Sequence, residues 1–263
     1  MKLKIYQVDA FSSKIFGGNP AAVIQLSQWL SDDVLQNIAI ENNLSETAFI
    51  VPVNGKSDYH LRWFTPSYEV RLCGHATLAT AHTLWHHLGF EKNIVTFDTL
   101  SGELKVIRNE NDYTLDFPTD NLVKSDDKID AIHKILKTQP LEVFRGNDDF
   151  MAVLSSQQEI EALEPDFALL KTLGSRGLIA TAKGDAVDFV SRCFFPEAGI
   201  EEDPVTGSAH TTMTPYWAEK LGKTSMIARQ LSARKGELSC VFKGERVNIS
   251  GAAVTYMIGN IYL

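Results

Sequence analysis

The chain carries the same series of short motifs twice, and this constrains its fold more than any other feature. Gly74-His75-Ala76 opens an apolar helical pattern that closes on Leu88-Gly89. It is matched by Gly207-Ser208-Ala209, whose pattern closes on Leu221-Gly222, both matches at an offset of 133 residues. Phe64-Thr65-Pro66 is echoed by Phe194-Phe195-Pro196 and Ala22-Val23 by Ala152-Val153 at 130, and Gly102-Glu103-Leu104 returns as Gly236-Glu237-Leu238 at 134. Each pair alone is commonplace. Five in one order at a near-constant offset predict an internal duplication, hence two pseudo-symmetric lobes.

Both halves read as strand-rich. Runs with β-branched or aromatic residues fall at Leu3–Val8, Ala21–Leu26, Thr47–Val51, His60–Phe64, Ile94–Phe97, Leu104–Arg108 and Tyr113–Phe117. The strongest helix of the first half spans about His75–Leu88 with Gly89 at C′. It is apolar on most faces, so it has to be surrounded. A shorter amphipathic helix spans Asp32–Asn42 behind Ser31 as N-cap. The expected fold class is therefore α/β (α+β), each lobe a curved, mainly antiparallel sheet around one central helix. The polar stretch Asp120–Asp130 marks the first crossing, giving an N-terminal lobe over 1–122, to which 258–263 returns, and a C-terminal lobe over 123–257, with the active site in the cleft between. Pro215, inside the second central helix, is expected to kink or break it.

Composition narrows the function classes. A formal charge of −8, from 25 Lys+Arg against 33 Asp+Glu, offers no basic footprint for nucleic acid or an anionic membrane. No apolar run reaches the roughly 18 residues of a membrane span, and the N-terminus alternates like a strand. Three cysteines without CxxC spacing suggest neither a disulfide framework nor a zinc knuckle, so a cytoplasmic setting is expected. GxGxxG, a Lys-Ser/Thr phosphate loop and tetrahedral His/Cys spacing are missing, so no cofactor and no metal are expected.

The chemistry concentrates where each central helix begins. Gly74 and Gly207 let the backbone approach a ligand closely, and free N–H groups with the positive dipole end suit a carboxylate. A small anionic substrate is the expected partner.

Four segments together resemble the PhzF-like family of phenazine-biosynthesis proteins, which share the diaminopimelate epimerase-like fold. They are Gly17-Gly18-Asn19-Pro20-Ala21, Leu44-Ser45-Glu46-Thr47-Ala48-Phe49, Leu72-Cys73-Gly74-His75-Ala76-Thr77 and Glu202-Asp203-Pro204-Val205-Thr206-Gly207-Ser208-Ala209-His210. The resemblance spans essentially the whole chain. It implies a homodimeric, metal-free isomerase in which Glu46 shuttles a proton between substrate carbons. His75, Asp203 and Ser208 line the pocket, with backbone donors at Gly74 and Gly207.

Read by themselves, these residues leave alternatives open. Burial of a carboxyl in the small, apolar setting of Ser45-Glu46-Thr47-Ala48-Phe49 tightens its hold on a proton, as a general acid/base needs; a solvated strand-entry glutamate is the plainer role. His75 at a helix start is expected to be neutral, or else a satisfied core histidine. Asp203 orients that histidine, handles a second proton, or serves only as a turn or cap. Ser208 is an N-cap compatible with holding a carboxylate, and Asn19 belongs to a glycine-rich turn.

Racemases and epimerases of this fold use two facing thiols, and the position matching Cys73 holds Thr206. A hydroxyl is no carbon base near neutral pH, which disfavours a two-thiol mechanism and leaves Cys73 as a packing residue. Two other readings stand beside the isomerase: an amino- or imino-acid epimerase or racemase, and a non-catalytic small-anion-binding protein.

Overall fold

The computed structural model describes the backbone of residues 1–263 and every side chain but that of Ala198. The chain divides into two compact units, Met1–Asp116 with Ser250–Leu263, and Phe117–Ile249.

The first unit contains β1 (Lys2–Ala10), β2 (Asn19–Gln25), α1 (Asp32–Asn42), β3 (Glu46–Pro52), β4 (Tyr59–Phe64), β5 (Glu69–Val70), α2 (Gly74–His87), β6 (Ile94–Thr99), β7 (Gly102–Arg108) and β8 (Tyr113–Pro118). β1 and β2 pair antiparallel, β2 and β3 parallel, β3 and β4 antiparallel, and β4 and β6 parallel; β6–β7 and β7–β8 are antiparallel. Helix α2 touches β1, β2, β3 and β7, so the sheet curves round it. All its residues from Gly74 to Trp85 are buried, and the hydroxyls of Thr77, Thr80 and Thr83 are satisfied by donating to the carbonyls of Cys73, Ala76 and Ala79. On the sheet's other face α1 sets Leu35, Ile38 and Ala39 against Ile24, Phe49 and Phe64. At about 25 cal/mol per Å² of apolar surface removed from water, these two layers supply most of the unit's cohesion. Ser31 is the N-cap of α1 but makes no side-chain capping bond.

The second unit contains β9 (Val123–Lys124), α3 (Ile129–Leu136), β10 (Glu142–Arg145), β11 (Asp149–Val153), α4 (Gln157–Glu161), α5 (Phe167–Leu170), β12 (Gly177–Lys183), β13 (Phe189–Phe195), β14 (Ile200–Asp203), α6 (Gly207–Leu221), β15 (Ser225–Gln230), β16 (Gly236–Phe242) and β17 (Arg246–Gly251). The pairing repeats the pattern of the first unit: β11 and β12 parallel, β12 and β13 antiparallel, β13 and β15 parallel, β15 and β16 antiparallel. Helix α6 packs on β11, β15 and β16. Behind the sheet, α3, α4 and α5 bury Ile132, Ile160 and Leu170 against Leu178, Val190 and Phe194.

The last strand, β18 (Ala253–Tyr262), belongs to the first unit and runs antiparallel to β1 from Lys2↔Tyr262 to Ala10↔Ala253. The divisions at Asp116/Phe117 and Ile249/Ser250 fall six and eight residues before those expected from the polar stretch. One reason is that the whole of β18, rather than six terminal residues, pairs with β1.

Of the two outcomes expected at Pro215, the break does not occur; the helix runs from Gly207 to Leu221. A proline leaves the carbonyl four residues earlier without its helical donor. Here that carbonyl, on Thr211, accepts the Asp120 N–H at 3.3 Å, and Thr212 Oγ1 donates to Asp120 Oδ2 at 2.8 Å. The strap along the helix supplies what the ring removes.

Candidate active site

In the first unit the site is built at the start of α2. The Gly17–Gly18 turn delivers Asn19 to the first position of β2. Gly18 lies at φ +63°, and a Cβ there would stand 2.0 Å from the Ala10 carbonyl oxygen, so only glycine fits. Asn19 is fully buried, and its Nδ2 lies 3.2 Å from His75 Nδ1. On the other side of the ring, His75 Nε2 faces Glu46 Oε2 at 3.0 Å. Glu46 reaches this place as the first residue of β3, in register with Ala21 of β2. The carboxylate is 12% and the imidazole 5% exposed. Apart from that ion-pair contact, Glu46 Oε2 has no hydrogen bond. Cys73 is the N-cap of α2, with Sγ 3.5 Å from His75 Nδ1.

The electrostatics correct one expectation. His75 was expected to be neutral because it sits at a helix N-terminus. Burial does work against the imidazolium, but the Glu46 carboxylate 3.0 Å away outweighs it and raises its proton affinity well above that of a free histidine. A carboxylate at contact distance outweighs a helix dipole worth about 1 kcal/mol. Burial, reinforced by the charge of Glu46, pushes the Cys73 thiol up to about 11, so it keeps its proton at neutral pH.

In the second unit the equivalent junction opens α6, with Thr206 as N-cap, Gly207 at N1 and Ser208 at N2. Ser208 is thus not the cap. Asp203 closes β14, is 7% exposed and accepts the Thr206 hydroxyl. Gln230 ties the loop down: its Oε1 accepts Thr206 N–H at 2.8 Å and its Nε2 donates to Asp203 O at 2.7 Å. His210 Nδ1 donates to Thr206 O at 2.8 Å, and burial lowers its pKa to about 4, so the ring is neutral.

Two residues here escaped the sequence reading. Arg176 Nε donates to Asp149 Oδ1 at 2.9 Å and its Nη2 to Asp149 Oδ2, while the same Nη2 stands 3.4 Å from Ser208 Oγ. A signal was present: the offset of 130 that links Ala22-Val23 to Ala152-Val153 also carries Asn19 to Asp149 and Glu46 to Arg176.

The first unit thus gathers Asn19, Glu46, Cys73, Gly74 and His75; the second gathers Asp203, Gly207 and Ser208 with Arg176 and Asp149. Among the described residues, Glu46, Cys73 and His75 are the group whose donor atoms, within 4.8 Å of one another, suit a metal ion. No helix is long and apolar enough to cross a membrane.

A mixed α/β scaffold with a buried carboxylate–imidazole pair at a glycine-led helix start points to the class of isomerases and epimerases. The comparisons agree. Residues 8–259 match the family described as phenazine biosynthesis-like protein, PhzC-PhzF. An uncharacterized isomerase of Pseudomonas aeruginosa is 51% identical over 263 residues, covering all of both chains. The crystal structure of a phenazine biosynthesis protein of the PhzF family from Enterococcus faecalis superposes with a TM-score of 0.94 at 46% identity, again over all of both chains. A hydroxyproline epimerase from Agrobacterium vitis, at 11% identity and TM-score 0.64 over 99% of this chain and 92% of its own, shares the fold alone. The chain belongs to the phenazine biosynthesis-like PhzC-PhzF family and is an isomerase.

Proposed function

We propose that this isomerase moves a proton between two carbons of a small carboxylated substrate, with Glu46 as the only acid/base that touches carbon. The observation that carries the proposal is the Glu46–His75 pair, a largely buried carboxylate 3.0 Å from an imidazole, with Oε2 free of any other hydrogen bond. Oε2, turned to His75 and shut off from solvent, holds that contact, and in this proposal the substrate C–H meets the other oxygen, Oε1.

Glu46 removes a proton from one carbon, leaving a delocalised carbanion, and the protonated carboxyl returns the proton to a second carbon. One C–H bond breaks, one forms, and no electron is exchanged with an outside group. His75, fixed by Asn19, offsets the negative charge that passes between Glu46 and substrate. The N–H groups that open a glycine-led helix suit the substrate's carboxylate. A homodimeric state and a cytoplasmic setting are part of the proposal.

The two-thiol alternative loses support on two counts, since Cys73 holds its proton and the equivalent cap is Thr206. Glu46→Gln keeps size and polarity but cannot relay the proton. It is expected to cost at least about 10⁴-fold in kcat while substrate still binds, as steady-state kinetics and calorimetric titration would show. Retention of more than about a tenth of the rate would refute the assignment.

A further inference from the structure

Arg176 is placed with more care than a structural ion pair needs. Asp149 opens β11 as Asn19 opens β2, and Arg176 stands directly before β12 much as Glu46 opens β3. The Arg176 N–H donates to Asp148 O at 3.1 Å, and its guanidinium lies over the Phe195 ring at 5.2 Å. That ring demands glycine at the next position, because a Cβ on Gly177 would stand 2.2 Å from Phe195 Cδ1. Asp149, 3% exposed, takes Nε and Nη2 side-on, which fixes the guanidinium plane and leaves Nη1 uncommitted. The arginine side chain is nonetheless 42% exposed and reaches Ser208 Oγ.

We propose that Arg176 is the anchor for the substrate's carboxylate and makes the site selective for carboxylates over neutral carboxamides. The inference rests on the carboxylated-substrate reading above and adds the residue that recognises the group. Where the first unit places the proton-handling Glu46–His75 pair, the second places Arg176–Ser208. One helix start is equipped for chemistry and its counterpart for charge recognition. The Asp149–Arg176 pair is neutral overall, so recognition depends on short-range donors, namely Nη1 and the Ser208 hydroxyl, reinforced by the Gly207 and Ser208 N–H groups. A guanidinium already held in plane loses little freedom on binding a carboxylate, which favours arginine over lysine here.

The test uses the full chain, isotopically labelled, with benzoate and benzamide as isosteric probes and nuclear magnetic resonance as readout. Benzoate is expected to shift the Gly207 and Ser208 amide signals and the Arg176 Nε–H signal, and benzamide to leave them in place. Arg176→Gln should weaken benzoate binding about 10- to 100-fold. Because it strands a buried carboxylate, the double variant Asp149→Asn/Arg176→Gln is measured beside it, its fold verified by its amide spectrum, and the same loss is expected. Equal benzoate affinity in the double variant, or no movement of the Gly207, Ser208 and Arg176 signals with benzoate, would overturn the proposal. Glu46→Gln should bind benzoate normally. If that variant also kept catalysing while the Arg176 variants lost benzoate, the proton-shuttle reading would fall and the anchor would stand.

Discussion

A thiol acts as a carbon base only when a useful fraction is ionised near neutral pH. Cys73 is 6% exposed, and burial with the neighbouring Glu46 charge pushes it up to about 11, leaving about one thiolate in 10⁴ at pH 7. Cys73→Ala should therefore keep the rate within about tenfold of the parent, and iodoacetamide at pH 7 should leave Cys73 unmodified by mass spectrometry. Rapid alkylation with loss of activity would return the chemistry to sulfur. At this scale the sequence was readable where a residue's role follows from its place in the repeat. Thr206 opposite Cys73 was found that way, and Arg176 opposite Glu46 was there to be found. It was unreadable where the role depends on a partner distant in the chain. His75 looked like a histidine subdued by a helix dipole because nothing local shows Glu46 standing 3.0 Å away.

The same division holds for elements. Apolar composition and C′ glycine located α2, and alternation located most strands of the first unit. Pro215 does not bring the break that its local sequence allowed, because the donor that satisfies the Thr211 carbonyl comes from Asp120, far back in the chain. Asp120 also accepts Thr212 Oγ1 at 2.8 Å, Asn121 N–H at 2.8 Å and Asn147 N–H at 3.1 Å. Asp120→Ala removes the last three together and should cost about 2–3 kcal/mol in urea unfolding. Pro215→Ala, which gives Thr211 a helical donor again, should change stability far less. A cost below about 0.5 kcal/mol for Asp120→Ala would mean that the strap is incidental.

Across the whole molecule, two buried histidines bias stability against acid. Burial lowers His210 to about 4; burial, followed by the charges of His86 and His87, lowers His82 to about 3. Below the unfolded value of about 6.5 the unfolded chain binds protons that these rings refuse, so stability present above that pH is lost as pH falls. At pH 5 the loss is about 2 kcal/mol for each. His75 acts oppositely: its raised proton affinity stabilises the fold below about 6.5, and that share fades as pH rises through its folded value. Urea unfolding at pH 7.5 and pH 5 should show the acid loss, and His210→Gln should reduce it; an unchanged difference in that variant would remove His210 from the account. The reaction itself is tested most directly by turnover in deuterium oxide. With Glu46 as the single carbon acid/base, the product should acquire deuterium at the newly protonated carbon in proportion to solvent exchange of the Glu46 carboxyl. Glu46→Gln should abolish both product and label. Exchange persisting in Glu46→Gln and vanishing in Cys73→Ala would contradict the account.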